Sequence, residues 1–279
     1  MGISQVCGHW REITLDLKNF WSFLPLELNR PPCKWLELSI ARSNPAPVYI
    51  HAELQYFDNK SRFGSTLLLA LGEISRAREI HIYYPRHEVF SVWPDVARSL
   101  CSTTAPVLEV LDIEMTHLHL DGDMFGGNVP RRLHTLYLTR VQPISLKSSL
   151  FHALLTALQL VNIRLVHSYG QMVEVLARLP NLHTLILDGI VVSRRPLSFK
   201  RDYFRDVALP ALRRLEIVEN IGHIVKLMQQ LLLPPTPQSP FAPATMSTRI
   251  STAIPSLPSS RSSPPSFATH QAPFTAGSP

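Results

Sequence analysis

The densest run of metal-ligating residue types in this 279-residue sequence is His117-x-His119-x-Asp121-x-Asp123. Alternate residues of an extended strand share one face, so this spacing could turn two imidazoles and two carboxylates toward one cation. Counted from Asp121, however, Arg132 stands where a calcium loop needs its bidentate Glu. A solvated loop following a strand is the plainer reading. Cys7 and His9 lie too close along a helix to form a nucleophile–base pair, and Cys7 reads as a small buried residue. No G-x-S-x-G, phosphate-binding loop or H-E-x-x-H occurs. The expectation is no catalytic set, no metal and no cofactor, hence no enzyme.

A second charged feature spans residues 194–205. Arg194, Arg195, Lys200, Arg201 and Arg205 face a single Asp202, with Phe199, Tyr203 and Phe204 interleaved. Such a segment could hold RNA through phosphate contacts and stacking. It could equally grip an acidic partner, or be a solvated loop. The net charge of +6 (27 basic against 21 acidic residues) is mild and does not demand nucleic acid. The three cysteines, Cys7, Cys33 and Cys101, are scattered and form no C-x-x-C pair, which predicts a reducing compartment, cytoplasm or nucleus. No run approaches the ~20 apolar residues of a membrane helix. The N-terminus lacks a secretory pattern, and Val6 stands where a myristoylation signal wants Ser or Thr. No membrane association is expected.

The elements that would carry any binding surface come from a repeat. Hydrophobic residues make up 45% of the chain and charged residues 17%, enough apolar surface for a packed core. The spacing Leu-x-x-Leu-x-Leu, with Ile and Val allowed, recurs as Leu108-Leu111-Ile113, Leu133-Leu136-Leu138, Leu155-Leu158-Leu160, Leu182-Leu185-Leu187 and Leu212-Leu215-Ile217, after a poorer copy Ala77-Ile80-Ile82. The starts advance by 31, 25, 22, 27 and 30 residues, the interval of leucine-rich repeat units. Pro106, Pro180 and Pro210 each sit two residues before the first leucine, and Pro130 sits three before.

Offsets of 0, +3 and +5 share no face of a helix. The last two share one face of a strand, and the first enters the core from the bend before it. Helical spacing fills the intervals at Val96–Leu100, Met172–Leu179 and Ile221–Leu233, the last with Ile221, Ile224, Val225, Met228 and Leu231-Leu232 on one side. Strand, helix, strand at this interval predicts parallel strands with helices covering one side. The fold class read here is α/β: an irregular leucine-rich-repeat solenoid with strands on the concave face and helices outside. An ordinary α/β domain is the alternative. The array is degenerate: where many repeats place Asn, the sequence has Thr116, Val141, Ile163 and Ile190, and only Asn220 fits.

Residues alternating with the inward aliphatics should line the concave face: Glu79, His81, Tyr83, Asp112, Glu114, Tyr137, Thr139, Gln159, Ile186, Asp188, Arg214 and Glu216. That surface is mixed in charge, holds two tyrosines and suits a protein partner. It has no uniform basic stripe, which makes nucleic acid an unlikely occupant.

The N-terminus carries the most specific motif. Val6, Trp10, Ile13 and Leu17 lie at helical intervals, and Trp21 follows. The pattern Val6-Cys7-x-x-Trp10-Arg11-x-Ile13-x-Leu15, leading to Trp21, resembles the second half of an F-box. Trp35-Leu36-Glu37-Leu38-Ser39, Arg42–Val48 and Phe125-Gly126-Gly127-Asn128-Val129-Pro130 resemble fungal F-box proteins with leucine-rich repeats, so the resemblance covers most of residues 3–233. The Leu-Pro opening and first helix of an F-box do not precede Val6. The resemblance implies docking on the adaptor subunit of a cullin-RING ubiquitin ligase through Val6, Cys7, Trp10, Ile13, Leu17 and Trp21, and a target protein held by the repeats. An intramolecular cap on the first repeat is the other reading of those residues.

Composition changes after Leu233. Residues 234–279 hold 11 of the 24 prolines, ten serines and no acidic residue, which predicts a disordered Pro/Ser-rich tail. Ser239, Ser263 and Thr236 each precede a proline and could serve a docking tail. The expected layout is a partial F-box-like helical segment (1–30), a leucine-rich-repeat-like domain (31–233) and the tail (234–279). The functions read from this are a substrate-recognition subunit of a ubiquitin ligase, a non-ligase protein-binding scaffold, or, third, an RNA-binding protein.

Overall fold

The computed structural model of the chain describes residues 12–13, 15–26, 33–53, 60–84, 92–116, 118, 123–141, 145–165, 169–192, 206–219, 221–234 and 247–252. Its strands are β1 (Phe23–Pro25), β2 (Val48–Glu53), β3 (Ala77–Tyr84), β4 (Val110–Met115), β5 (Thr135–Thr139), β6 (Ala157–Val161), β7 (Arg164–Leu165), β8 (Thr184–Asp188), β9 (Val191–Val192), β10 (Val207–Ala208), β11 (Arg214–Glu219), β12 (Leu231–Leu232) and β13 (Ser247–Thr252). Its helices are α1 (Cys33–Ser43), α2 (Lys60–Leu71), α3 (Trp93–Ser102), α4 (Tyr169–Leu176) and α5 (Ile221–Met228).

Nine strands make one sheet in the order β1-β2-β3-β4-β5-β6-β8-β11-β13, and every neighbouring pair is parallel. The order never reverses. Parallel crossovers are right-handed, so a chain that always steps the same way lays every connecting helix on the same side. The sequence expectation of side-by-side parallel strands near 111, 136, 158, 185 and 215 holds. Ile80, Leu111, Leu136, Leu158, Leu185 and Leu215 face one another in register, as do Ile82, Ile113, Leu138, Leu160, Leu187 and Ile217. All twelve are buried, in one core with helical residues such as Leu67, Val96, Leu100 and Leu176.

The bends before the strands repeat as well. The first leucine of each unit donates its N–H to the carbonyl three residues back: Leu108 to Ala105, Leu133 to Pro130, Leu155 to His152, Leu182 to Leu179 and Leu212 to Leu209. Pro106, Pro180 and Pro210 occupy the second position of those turns, where a φ fixed near −65° is favoured. The following residue then bonds to the preceding unit, Glu109 to Arg78, His134 to Glu109, Thr156 to His134, His183 to Thr156 and Arg213 to His183. The periodic prolines of the sequence are therefore turn formers that set each strand's entrance.

The strand exits share a device that the sequence does not show. Arg140 (φ 60), Asn162 (φ 52) and Gly189 (φ 60) each follow a strand in the left-handed region and extend the ladder to Val161, Asp188 and Val218. The next residues, Val141, Ile163 and Ile190, turn into the core and are buried. The positions expected to carry a turn-bonding Asn instead carry an additional apolar rung.

Four expectations are corrected. First, β1 lies within the segment assigned to an F-box remnant, yet it pairs with β2 and is the first strand of the sheet. Second, β2 precedes the first recognised repeat; Ile50 and Ala52 are its buried rungs. Third, the helical pattern predicted to run to Leu233 ends at Met228. Leu231–Leu232 pairs with Val207–Ala208, because the N–H groups of Val207 and Leu209 take the carbonyls of Gln230 and Leu232. Ile224 and Leu227 are buried while Ile221 and Val225 are exposed, so the packed face is rotated from the predicted one. Fourth, residues 247–252, expected to be disordered, extend the sheet alongside β11 over six register positions. The ladder needs backbone groups only, and Ala244–Ile254 is a proline-free window in a proline-rich segment.

Arg76 ties the first units together. It lies before β3 and donates to Ser43 Oγ (3.0 Å), the Ala46 carbonyl (2.7 Å) and the Ile40 carbonyl (3.1 Å), while its Nε pairs with Glu73 at 2.6 Å. These bonds satisfy the Ile40 carbonyl in the last turn of α1 and the Ala46 carbonyl in the turn that follows it.

Candidate functional site

A parallel sheet usually carries helices on both faces, and its strands are then apolar throughout. Here burial alternates along β4, β5, β6, β8 and β11, with every second residue partly exposed. Among the described residues, no element covers that second face. It is organised in rows because the registers are continuous. One row runs His51, His81, Asp112, Tyr137, Gln159, Ile186 and Glu216; the next runs Glu53, Tyr83, Glu114, Thr139, Val161, Asp188 and Val218. A third contains Tyr49, Glu79, Val110, Thr135, Ala157, Thr184 and Arg214. All of the residues predicted for a partner-binding face therefore lie on one open surface.

That face is more structured than a free charge mixture. His81 lies between Asp112, at 3.4 Å from Nδ1, and Glu79, at 3.4 Å from Nε2, and its ring centroid is 5.7 Å from that of His51. The Asp112 hydrogen bond holds the His81 proton affinity above the ordinary imidazole value; burial opposes this and Glu79 assists it. Glu114 is shifted upward by burial, with Arg140 opposing and Asp112 adding to it. Asp188 is shifted upward by burial and by the neighbouring Glu216. Arg140 pairs with Glu114 at 3.3 Å, and Arg214 with Glu216 at 3.1 Å.

No family model, no characterised protein and no solved structure matches this chain. The functional reading therefore stands on the geometry.

The predicted adaptor-contacting residues that are described, Ile13, Leu17 and Trp21, do not share one exposed surface. Val6, Cys7 and Trp10 lie outside the described residues. Ile13 and Leu17 are exposed at 37% and 53%. Trp21, by contrast, is 3% exposed. Its ring lies 5.1 Å from that of Trp35, and the Arg42 guanidinium sits 4.5 Å over it. Trp21 is corrected from docking contact to internal packing residue. The physical reason is that α1 brings Trp35 and Arg42 back over it, making the intramolecular cap the better description there.

The remaining candidates are quickly placed. His117, His119 and Asp121 lie outside the described residues, as does the basic segment 194–205, while Asp123 is exposed. Among the described residues no group of three His, Cys, Asp or Glu could hold a metal ion. No described helix is long and apolar enough to cross a membrane. Sequence reasoning missed Tyr49, His51 and Glu53, which extend the open face onto β2. The alternation Val48-x-Ile50-x-Ala52 was their signal, but it lacks leucine. Arg140 was missed because it sits just past the strand alternation.

Proposed function

We propose that this chain is an F-box-like substrate-recognition subunit of a cullin-RING ubiquitin ligase, built as an irregular leucine-rich-repeat solenoid that holds a target protein on its open, concave strand face. One observation carries the reading: a nine-stranded parallel sheet of strictly sequential order, with stacked aliphatic rungs on one side and nothing described on the other. A sheet covered on one face only leaves hydrogen-bonding and aromatic side chains at fixed spacing for a partner. The mechanism is proximity. The repeats hold the target near the transferring enzyme, and the chemistry takes place on other subunits.

The F-box part rests on Val6, Cys7, Trp10 and Arg11 in the sequence and on the exposed Ile13 and Leu17. The burial of Trp21 favours a second reading, a protein-binding scaffold without a ligase role, whose N-terminal segment caps the array. Retention of the purified chain on immobilised adaptor subunit separates the two. Binding that is lost in Ile13→Asp and Leu17→Asp supports the ligase reading. No retention of this chain, alongside retention of a version with a completed F-box motif, leaves the scaffold reading.

A further inference from the structure

The open face is acidic on a basic chain. Within its rows stand Glu53, Glu79, Asp112, Glu114, Asp188 and Glu216, while the cations beside them are Arg140, Arg214 and Arg78, which donates to the Tyr49 hydroxyl and pairs with Glu109. The whole chain carries +6. The acids on this face outnumber the cations beside them, so a cationic segment is attracted to it.

The acids fall into two groups with a neutral floor between them. On β3 and β4, Glu79, Asp112 and Glu114 share one arginine, Arg140, and the imidazole of His81. On β8, Asp188 pairs with no cation among the described residues, because Arg214 is engaged by Glu216. The strands between, β5 and β6, present Tyr137, Thr139, Gln159 and Val161. Burial raises the proton affinity of Glu114 and Asp188, with Asp112 and Glu216 adding to it, and a cation seated beside them would favour their charged forms.

We infer that the open face takes an extended, basic segment of a partner protein, with one Arg or Lys seated at Asp112 and a second at Asp188, and small or aromatic residues crossing Tyr137 between them. This rests on reading the open face as the target-binding surface. The spacing follows from the sheet. Asp112 and Asp188 are three strands apart and two residues offset, about 16 Å at ~4.8 Å per strand and ~3.3 Å per residue. An extended chain covers that distance in roughly four to six residues. Tyr137 lies in the Asp112 row, where a ring adds stacking for an arginine or an aromatic side chain.

The test is fluorescence anisotropy of the full chain with four labelled peptides: two Arg pairs flanking Gly-Ser-Gly-Ser, the same with Tyr in the spacer, four contiguous Arg, and the Glu counterpart of the first. The spaced Arg peptides are expected to bind most tightly, the more so with Tyr, and to weaken as salt is raised. Asp112→Asn and Asp188→Asn, which keep shape and remove charge, should each weaken the spaced peptide roughly fivefold and leave the contiguous peptide less affected. Circular dichroism verifies that both variants are folded. A Glu peptide that binds equally well, or spaced-peptide affinity within twofold of wild type in both variants, overturns the basic-segment proposal. If Tyr137→Ala then weakens whichever peptide binds, the open-face reading survives without it; if none of the three substitutions moves any binding, both fall.

Discussion

Replacing Trp21 with Ala separates a packing role from a docking role. The indole is 3% exposed, tilted against Trp35 at a centroid distance of 5.1 Å, and covered by Arg42 at 4.5 Å. Truncating a buried Trp costs about 3–5 kcal/mol. Within that sum the ring pair contributes ~0.5–1.5 kcal/mol and the guanidinium ~0.5–1 kcal/mol. For a domain of this size each kcal/mol lowers the midpoint by roughly 2–4 °C, so a drop of about 6–20 °C is expected. Far-UV circular dichroism is the assay, because it does not depend on the fluorophore removed. Trp21→Phe should recover much of the loss. A melting curve within about 2 °C of wild type, joined to lost adaptor retention, would refute the packing argument and return Trp21 to the docking surface.

Gly189→Ala should destabilise by about 1–2 kcal/mol, because φ is +60° and the added Cβ would lie 2.5 Å from Asn162 Oδ1. Urea unfolding of the double variant with Asn162→Gly should recover part of the loss, and a strictly additive cycle contradicts the clash. Asp188→Asn should raise stability at pH 7. The folded carboxyl holds its proton above the ordinary 3.8, so its native charge is unfavourable; the gain should vanish on acidification below that value, and destabilisation at pH 7 would refute the argument. His81 has the opposite consequence. Its raised affinity contributes stability that is present below the ordinary 6.5 and lost as pH rises through the folded value, so His81→Gln should cost more at pH 5.5 than at pH 8.5 in paired denaturation curves. Ser251→Pro removes a ladder donor that β13 offers to β11, since Arg214 and Val218 turn their backbone groups to β8 and Ile217 faces β13, and it should speed amide exchange in residues 214–219; unchanged exchange there would show that the strand does not protect β11.

What could be read ahead of the structure follows from interaction range. The rung leucines were legible because stacking forces the same side-chain type at the same offset in each unit, and the prolines because the turn before each strand is local. β2 was not legible: Ile50 and Ala52 occupy rung positions without leucine, and only the ladder to β3 reveals them. The left-handed exit at Arg140 is carried by a residue type that does not announce positive φ, whereas Asn162 and Gly189 are types that favour it, and all three bond onward to the following unit. Alternation put the open-face residues on one face of the sheet but could not say which of them meet across strands. Register places Asp112 beside His81 and Asp188 near Glu216, contacts between units that spacing along one strand does not encode.

The amino-acid sequence by itself determined the parallel array of aliphatic strands, the side of each strand that is buried, and the bends that introduce them. These depend on periodicity and on turns a few residues long. The tertiary structure decided that β1 and β2 join the array ahead of the first recognised repeat, that Trp21 packs inward, that α5 stops at Met228, and that residues 247–252 join the sheet. Each of these outcomes is set by a partner distant in the chain: Trp35 and Arg42 for Trp21, Val207 for Leu231, and the edge of β11 for β13. Backbone pairing is indifferent to side-chain identity, so no composition marks it in advance.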